Sequence, residues 1–221
     1  MIEMRARFRG YLPVVIDLET GGFRAATDAL LEIGVVFLDI DPERGYLSPG
    51  RQLVYEVLPF EGARLDPESL AVHGIDPFHP LRPALPEREA LQRLFREVRH
   101  ALRESGCTRA VLTGHNASFD LGFLNAAVAR TDIKRNPFHP FSTFDTVTLA
   151  GVFLGQTVLA KAAESLGLGY DSARAHGAAY DAWITAEIFC QLTNRARDIH
   201  REYASLALAN EGSETDRGDG I

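Results

Sequence analysis

The stretch VVIDLETGGF, which begins at residue 14, places two carboxylates inside an apolar strand. Side chains alternate along a strand, so Val15, Asp17 and Glu19 share one face of it. Two carboxylates ~5 Å apart repel each other by ~3 kcal/mol at an effective dielectric constant of ~20, unless protons or cations compensate. We therefore expect a fold in which a compensating charge reaches this strand.

Two further carboxylates are predicted on the core-facing sides of helices. Asp120 shares the apolar side of a helix predicted near 118–131, and Asp181 does so near 177–197. His176 precedes Asp181 by five residues, just ahead of that helix. Magnesium and manganese prefer oxygen ligands, and two such ions ~3.5–4 Å apart assist attack of water on a phosphodiester. An imidazole is suited to act as the general base, so these residues predict a site for phosphodiester chemistry.

Length and composition indicate a globular protein. The chain has 221 residues, 46% of them hydrophobic, which predicts one domain over 1–205 and a disordered polar tail over 206–221. No stretch approaches the ~18 apolar residues of a membrane helix, and no signal-like segment opens the chain, so no membrane contact is expected. Cys107 and Cys190 show no metal or redox spacing, which favours a cytoplasmic location. The net charge of −7 weighs mildly against nucleic-acid binding, although local basic patches decide that question.

The order of predicted elements indicates an α/β fold. Strands are predicted near 12–19, 32–40, 51–58 and 109–114, and helices near 87–105, 118–131, 145–153, 156–167 and 177–197. The first three strands are typical of an antiparallel meander, and the later alternation predicts a mixed sheet flanked by helices. The proline-bounded stretch RNPFHPFSTF is predicted to be a loop.

Three motifs resemble those of a known nuclease family. VIDLETGGF, GHNASFDLGFL and HGAAYDA resemble the exonuclease motifs of the histidine-containing branch of the DEDD superfamily, and the match spans about residues 7–195. More specific stretches, LAVHGIDP, KRNPFHPFSTFDT and LGQTVLAKA, resemble members that trim RNA 3′ ends. The resemblance implies a ribonuclease H-like exonuclease fold with a mixed five-stranded sheet flanked by helices. It also implies a 3′→5′ exonuclease with two Mg²⁺ ions per subunit, or Mn²⁺.

The resemblance also implies catalytic roles. The metal ligands would be Asp17, Glu19, Asp120 and Asp181. His176 would be the base that activates the attacking water, and a nucleoside 5′-monophosphate would be released. His115 is instead predicted to be hydrogen-bonded at a strand end, and Asp145 to cap a helix, with catalysis as the less favoured alternative for His115.

Other residues match the family's substrate contacts. Phe23, Phe119 and Phe141 match aromatic side chains that stack on the terminal bases, and Glu68 matches a residue that recognises the terminal base. A further stacking phenylalanine of the family falls at Val72, which is a departure from the pattern. Residues that match its basic RNA-gripping surface are Arg7, Arg9, Arg103, Arg109, Lys134 and Arg135. Because that surface acts on the active site of a second subunit, a homodimer is implied.

Three functions are compatible with these motifs. The leading hypothesis is an exoribonuclease that acts on single-stranded 3′ ends of tRNA and other stable RNAs, and also on single-stranded DNA. The second is a DNA proofreading or repair exodeoxyribonuclease, since the acidic motifs are shared. The third is a nucleic-acid-binding module without catalysis, against which the presence of all five polar residues argues.

Overall fold

The chain forms a five-stranded sheet flanked by helices. The computed structural model describes residues 1–215, of which 203–215 are described as backbone alone. The strands are β1 Tyr11–Thr20, β2 Leu30–Ile40, β3 Leu47–Glu56, β4 Arg109–Gly114 and β5 Phe138–Asp145. The helices are α1 Pro67–His73, α2 Glu87–Ser105, α3 Ala117–Arg130, α4 Thr146–Leu154, α5 Leu159–Ser165 and α6 Ala178–Thr215, and a 3₁₀ turn at Met4–Ala6 precedes β1.

The sheet is mixed, as predicted, and β1 is its central strand. The strand order is β3-β2-β1-β4-β5. The first three strands form the predicted antiparallel meander, whereas β4 and β5 run parallel to β1. In the β1–β2 register Asp17 is paired with Gly34 and Glu19 with Glu32. Directly paired residues of an antiparallel ladder point to the same face, so Glu32 shares the face of the two motif carboxylates.

The prediction of a loop at RNPFHPFSTF was wrong, because β5 runs through that stretch. Pro140 has no N–H to donate, but β5 is an edge strand and its register with β4 shifts between Ala110 and Leu112, which accommodates proline. The short helix α1 was not predicted. It begins with Pro67 in its first turn and ends at Gly74, which has a φ of 69° that favours glycine.

The last helix is longer than predicted. α6 begins at Ala178, close to the expected start, and its backbone continues to Thr215. Residues 206–215 of the predicted tail are thus described as helical backbone, whereas residues 216–221 lie outside the described residues. The predicted division into domain and tail stays a prediction.

Two apolar clusters hold the elements together. The main cluster surrounds β1 and includes Val14, Ile16, Leu94 and Phe95, none of which is exposed. A smaller cluster joins α4 and α5 to α6 through Ile188 and its neighbours. Among the described residues no single helix is long and apolar enough to cross a membrane, although α4 and α5, bent by 44°, together satisfy the length and composition criterion.

A largely buried ion pair fastens α2 to α3 and reaches the loop that follows β1. The Arg130 guanidinium donates to both carboxylate oxygens of Glu87, at 2.6 and 3.0 Å, and to Ala25 O at 3.4 Å. The Glu87 side chain is 6% exposed and that of Arg130 is 19% exposed. The guanidinium also lies 3.8 Å from the ring centroid of Phe60. This geometry makes the pair a fixed anchor for three segments.

Substituting Glu87→Gln is expected to lower the free energy of unfolding by about 3 kcal/mol, because the buried guanidinium would lose its counter-charge. Urea denaturation measures this change. The control Glu104→Gln removes an exposed carboxylate paired with His100 and should leave the midpoint unchanged. Equal midpoints for the two variants would contradict the expectation.

Candidate active site

The end of β1 and the first turns of α3 and α6 bring four carboxylates together. Asp17 and Glu19 on β1 and Asp181 on α6 each offer an oxygen atom, and these atoms lie within 4.8 Å of one another. Asp120 on α3 is 4% exposed, and its Oδ1 accepts a hydrogen bond from Leu18 N at 3.1 Å. Leu18 lies between the two motif carboxylates, so α3 is joined directly to that part of β1.

The backbone ahead of α6 orients Asp181. His176 N donates to Asp181 Oδ2 at 3.0 Å, and Gly177 O accepts from Asp181 N at 3.0 Å. His176 has a φ of 61°, a left-handed conformation that turns the chain sharply into the helix. Its side chain is exposed, next to the carboxylate that its own backbone binds. A substrate in solution therefore has access to the imidazole.

Burial raises the pKa of every carboxyl in the cluster, and repulsion by neighbouring carboxylates raises the pKa of Asp17 and of Glu19 further. Burial raises the pKa of Glu19 to about 8, with a further contribution from Asp181, and burial also raises the pKa of Asp120 to about 8. The pKa of Asp17 is raised well above its ordinary value, chiefly by burial and then by the charge of Asp120. Burial likewise raises the pKa of Asp181, although the hydrogen bond from His176 N opposes it. The cluster therefore needs protons or a cation near neutral pH.

The donor set fits a hard divalent cation. All four side chains offer carboxylate oxygens, the ligands that Mg²⁺ and Mn²⁺ prefer. Asp181 is one of the three residues whose oxygens converge, and among the described residues its Oδ1 is buried without a hydrogen-bond partner. A buried oxygen of this kind is satisfied by a bound cation.

Asp145 and His115 have the structural roles predicted for them. Asp145 caps α4 by accepting from Val147 N at 2.7 Å, and its other oxygen accepts from Ala117 N, the first residue of α3, at 3.0 Å. The His115 ring bonds to Thr146 Oγ1 at 2.9 Å and to Thr157 O at 3.0 Å. Asp145 thus holds the start of the helix that carries Asp120, and His115 ties the chain just ahead of that helix to the start of α4.

Two of the three predicted stacking aromatics lie together. Phe23, 80% exposed, has its ring centroid 6.3 Å from that of Phe119. The chain directly after Phe23 is held by Asp28, whose carboxylate accepts from Arg24 N at 2.9 Å. Phe141 is 79% exposed on β5, and its ring contact among the described residues is with His139, at 4.6 Å. The structure therefore leaves two separate exposed aromatic surfaces.

Helix α1 lies beside the end of β1, and sequence analysis missed the residue that holds it there. Ile75 N donates to His73 Nδ1 at 3.1 Å, so the neutral ring carries its proton on Nε2, which lies 3.2 Å from Thr20 O. Burial keeps the pKa of His73 below its ordinary value, which favours this neutral form. Glu68 and Val72 on the same helix are both exposed. His73 lies within the family-like stretch LAVHGIDP, but nothing in that stretch specified a contact between this residue and β1.

Sequence analysis also missed a fifth carboxylate, Glu32. It is paired with Glu19 across the β1–β2 ladder, and burial followed by the charge of Glu56 raises its pKa. Arg82 lowers it, and the same guanidinium forms an ion pair with Glu56 at 2.6 Å and donates to Val57 O. Glu32 begins the strand that was predicted near 32–40, so side-chain alternation along that strand was the signal that could have revealed it.

The six predicted basic residues do not join the carboxylate cluster. Arg109 begins β4 and is paired with Tyr11, at the opposite end of β1 from Glu19. At ~3.3 Å per residue, about 26 Å of strand separate Tyr11 from Glu19. Arg9 is exposed beside Tyr11. The remaining residues of the set are exposed Arg103, Lys134 and Arg135 and half-buried Arg7.

Besides Arg9, which donates to Tyr11 Oη, three of these basic side chains have polar partners. The Arg7 guanidinium donates to Gly45 O and, at 3.4 Å, to Thr193 O, and so connects the N-terminal segment to α6. Lys134 forms an ion pair with Asp132. Arg109 Nη1 reaches Asn136 O at 3.5 Å, beside exposed Arg135. The exposed side chains of Arg9, Arg109 and Arg135 therefore lie at the end of the sheet that is remote from the carboxylates.

Comparison with known proteins identifies the family. The RNase_T family model, described as Exonuclease, matches residues 14–189. Ribonuclease T of Yersinia enterocolitica serotype O:8 / biotype 1B is 55% identical over 196 residues, which cover 89% of this chain and 91% of that protein.

Solved structures share the fold at low sequence identity. E. coli exonuclease I in complex with a dT13 oligonucleotide superposes with a TM-score of 0.66 at 17% identity, covering 87% of this chain and 43% of that one. A 3′-exonuclease structure described as 3′-end-specific recognition of histone mRNA stem-loop has a TM-score of 0.64 at 20% identity, covering 83% of this chain and 63% of that one. The predicted ribonuclease H-like fold is thereby confirmed.

Fold and site together define a 3′→5′ exonuclease, a hydrolase that depends on divalent metal. The chain belongs to the RNase_T exonuclease family and is a homologue of ribonuclease T, which confirms the resemblance found in the sequence.

The stability gained from Mg²⁺ is expected to increase with pH. A carboxyl group whose pKa is higher in the folded protein than in the unfolded one contributes its full stability below the unfolded pKa, which is about 4. That contribution is lost as the pH rises through the pKa of the group in the folded protein. For Glu19 and Asp120 the folded pKa is about 8. The increase in Tm on adding Mg²⁺ should therefore be larger at about pH 8.5 than at about pH 6, as differential scanning fluorimetry would measure. Asp120→Asn should weaken this dependence; equal increases at both pH values in the wild type would contradict it.

Proposed function

We propose that this exonuclease trims the 3′ ends of tRNA and other stable RNAs, releases nucleoside 5′-monophosphates and also acts on single-stranded DNA. The observation that carries the proposal is the 55% identity to a ribonuclease T over 89% of this chain. The exposure of Phe23 and His176 beside the carboxylates supports it, because a flexible single-stranded end can reach both side chains.

The catalytic assignment follows the geometry of the cluster. Asp17, Glu19, Asp120 and Asp181 hold two Mg²⁺ ions per subunit, or Mn²⁺ in their place. When bound, these ions supply Lewis-acid stabilisation of the charge that develops on the scissile phosphate. His176 accepts a proton from the attacking water at an imidazole nitrogen, and the adjacent carboxylate of Asp181 stabilises the imidazolium that forms.

The substrate contacts use the exposed aromatic surfaces. Phe23 and Phe119 stack on terminal bases near the cluster, each worth about 1–3 kcal/mol, and Phe141 contacts the strand further along β5. Glu68 contacts the edge of the terminal base, since its exposed position on α1 lies near the end of β1. Val72 provides a smaller stacking surface than a phenylalanine at that position would.

An exodeoxyribonuclease of DNA proofreading or repair is the alternative. The observation that favours it is the shared fold of exonuclease I, whose structure contains a DNA oligonucleotide. That likeness is at 17% identity, whereas the likeness to ribonuclease T is at 55%. RNA is therefore the preferred substrate class.

The separation of charges along β1 supports a homodimer that acts in trans. The exposed side chains of Arg9, Arg109 and Arg135 gather at the end of the sheet opposite Glu19. One nucleotide spans far less than the ~26 Å between the two ends. In a two-fold dimer, the basic surface of one subunit grips the RNA body while the carboxylates of the other cut its 3′ end.

A cytoplasmic location is part of the proposal. Cys107 and Cys190 are both buried free thiols, which suits a reducing compartment. Burial raises the pKa of both thiols, which keeps them protonated and unreactive.

Asp17→Asn is expected to abolish release of mononucleotides while RNA binding persists, because the carboxylate set loses one charge. The assay compares a tRNA that has an unpaired 3′ CCA tail with a mismatched DNA primer, with and without Mg²⁺. Wild type should process the tRNA faster, and Asp41→Asn, a turn residue, should behave like wild type. Preference for the DNA primer would favour the alternative function, and unchanged turnover in Asp17→Asn would overturn the proposed site.

Mixing two inactive variants is expected to restore activity. One carries Asp17→Asn and the other carries Arg109→Ala with Arg135→Ala. If cleavage is in trans, each heterodimer contains one site whose intact carboxylates face an intact basic surface. Half of the dimers in an equal mixture are heterodimers and half of their sites work, so the mixture regains about a quarter of wild-type activity. Single-turnover assays after subunit exchange measure the recovery, and sedimentation confirms that each variant is dimeric. No recovery from dimeric variants would exclude action in trans.

A further inference from the structure

The start of α6 lies unusually close to the sheet at Gly34. Gly34 is the residue of β2 that is paired directly with Asp17. A Cβ atom built on Gly34 would overlap the carbonyl group of Ala178 and lie 2.9 Å from Ala179 N. Real Cβ atoms essentially never approach another atom within 3.0 Å, and these atoms are backbone of the first turn of α6. Any side chain at this position therefore displaces the helix.

The missing side chain would point to the face that carries the carboxylates. Residues that are directly paired in an antiparallel ladder project to the same face, so a Gly34 side chain would stand next to that of Asp17. The turn of α6 that fills this space also carries Asp181. The gap at Gly34 thus allows Asp181 to come within 4.8 Å of Asp17 and Glu19.

A contact from β3 holds the same turn against the sheet. Gln52 Nε2 donates to Ala179 O. Gln52 is paired with Val36, and Val54, two residues further along β3, is paired with Gly34. The amide side chain therefore projects from the same face of the sheet, one strand further from Asp17. Gly34 provides the space for the first turn of α6, and Gln52 fastens the turn within it.

We propose that Gly34 and Gln52 are positioning residues that set the distance between Asp181 and the carboxylates of β1, and thereby the affinity of the site for divalent cations. The inference rests on the proposed metal site and adds to it the part of the fold that fixes one ligand's position. Oxygen ligands bind Mg²⁺ at ~2.0–2.1 Å in near-ideal geometry, so a displaced turn of α6 cannot keep all ligands in place. Neither residue touches the substrate, and their effect passes through Asp181.

The test measures Mn²⁺ binding to the full-length protein by electron paramagnetic resonance, together with kcat and KM on single-stranded RNA. Gly34→Ala should weaken Mn²⁺ binding by about 10–100-fold, the range seen when residues supporting a metal ligand are lost. The value of kcat should fall by about 100-fold because of the misplaced ligand. KM should change little, since the aromatic and basic contacts are untouched. Gln52→Ala should show a smaller loss of Mn²⁺ affinity with an unchanged Tm.

Gly50→Ala is the matched control. It also introduces a methyl group on a strand glycine, but the nearest atom would be Asp39 Oδ2, at 2.6 Å, on an exposed side chain that is free to swing away. This variant should bind Mn²⁺ like the wild type.

Each outcome decides the question. A folded Gly34→Ala protein with wild-type Mn²⁺ affinity would overturn the inference. Should Gly34→Ala fail to fold, Gln52→Ala decides, because weaker binding supports the inference and unchanged binding overturns it. A wild-type protein that binds no Mn²⁺ would overturn the proposed site itself, and the inference with it.

Discussion

Repulsion between buried and half-buried carboxylates is the constraint on which the site depends. Four of them meet at the end of the central strand, where burial raises the pKa of Glu19 and Asp120 to about 8. Without a cation the fold must hold protons there or tolerate like charges in a region of low dielectric. The apolar core around β1 and the Arg130–Glu87 pair provide stability elsewhere in the molecule. In the proposed function, a bound divalent cation would offset this electrostatic cost.

Close packing converts this electrostatic arrangement into a defined geometry. α3 is joined to β1 by the bond from Leu18 N to Asp120, and α6 rests on β2 where Gly34 has no side chain. Asp145 joins the starts of α3 and α4 by accepting from both. Asp120 and Asp181 are therefore each held by a backbone hydrogen bond in the first turn of a helix, while Asp17 and Glu19 are fixed by the central strand.

Much of the site was predictable because short-range periodicity is a local property. The alternation of β1 placed Asp17 and Glu19 on one face, and the helical period placed Asp120 and Asp181 toward the core. β5 was missed because Pro137 and Pro140 are typical of loops, and the tolerance of Pro140 in an edge strand depends on which strands become neighbours. The contact of His73 with Thr20 was missed for a related reason, since 53 residues separate the two partners.

The amino-acid sequence by itself determined the class of fold, the residue types of the site and the family, because these follow from local patterns and short sequence motifs. The tertiary structure alone decided which distant groups touch. It brought Glu32 beside Glu19, placed Arg109 at the far end of the sheet from the carboxylates, and gave Gly34 its contact with α6. Register and helix packing are long-range properties, so no single stretch of sequence contains them.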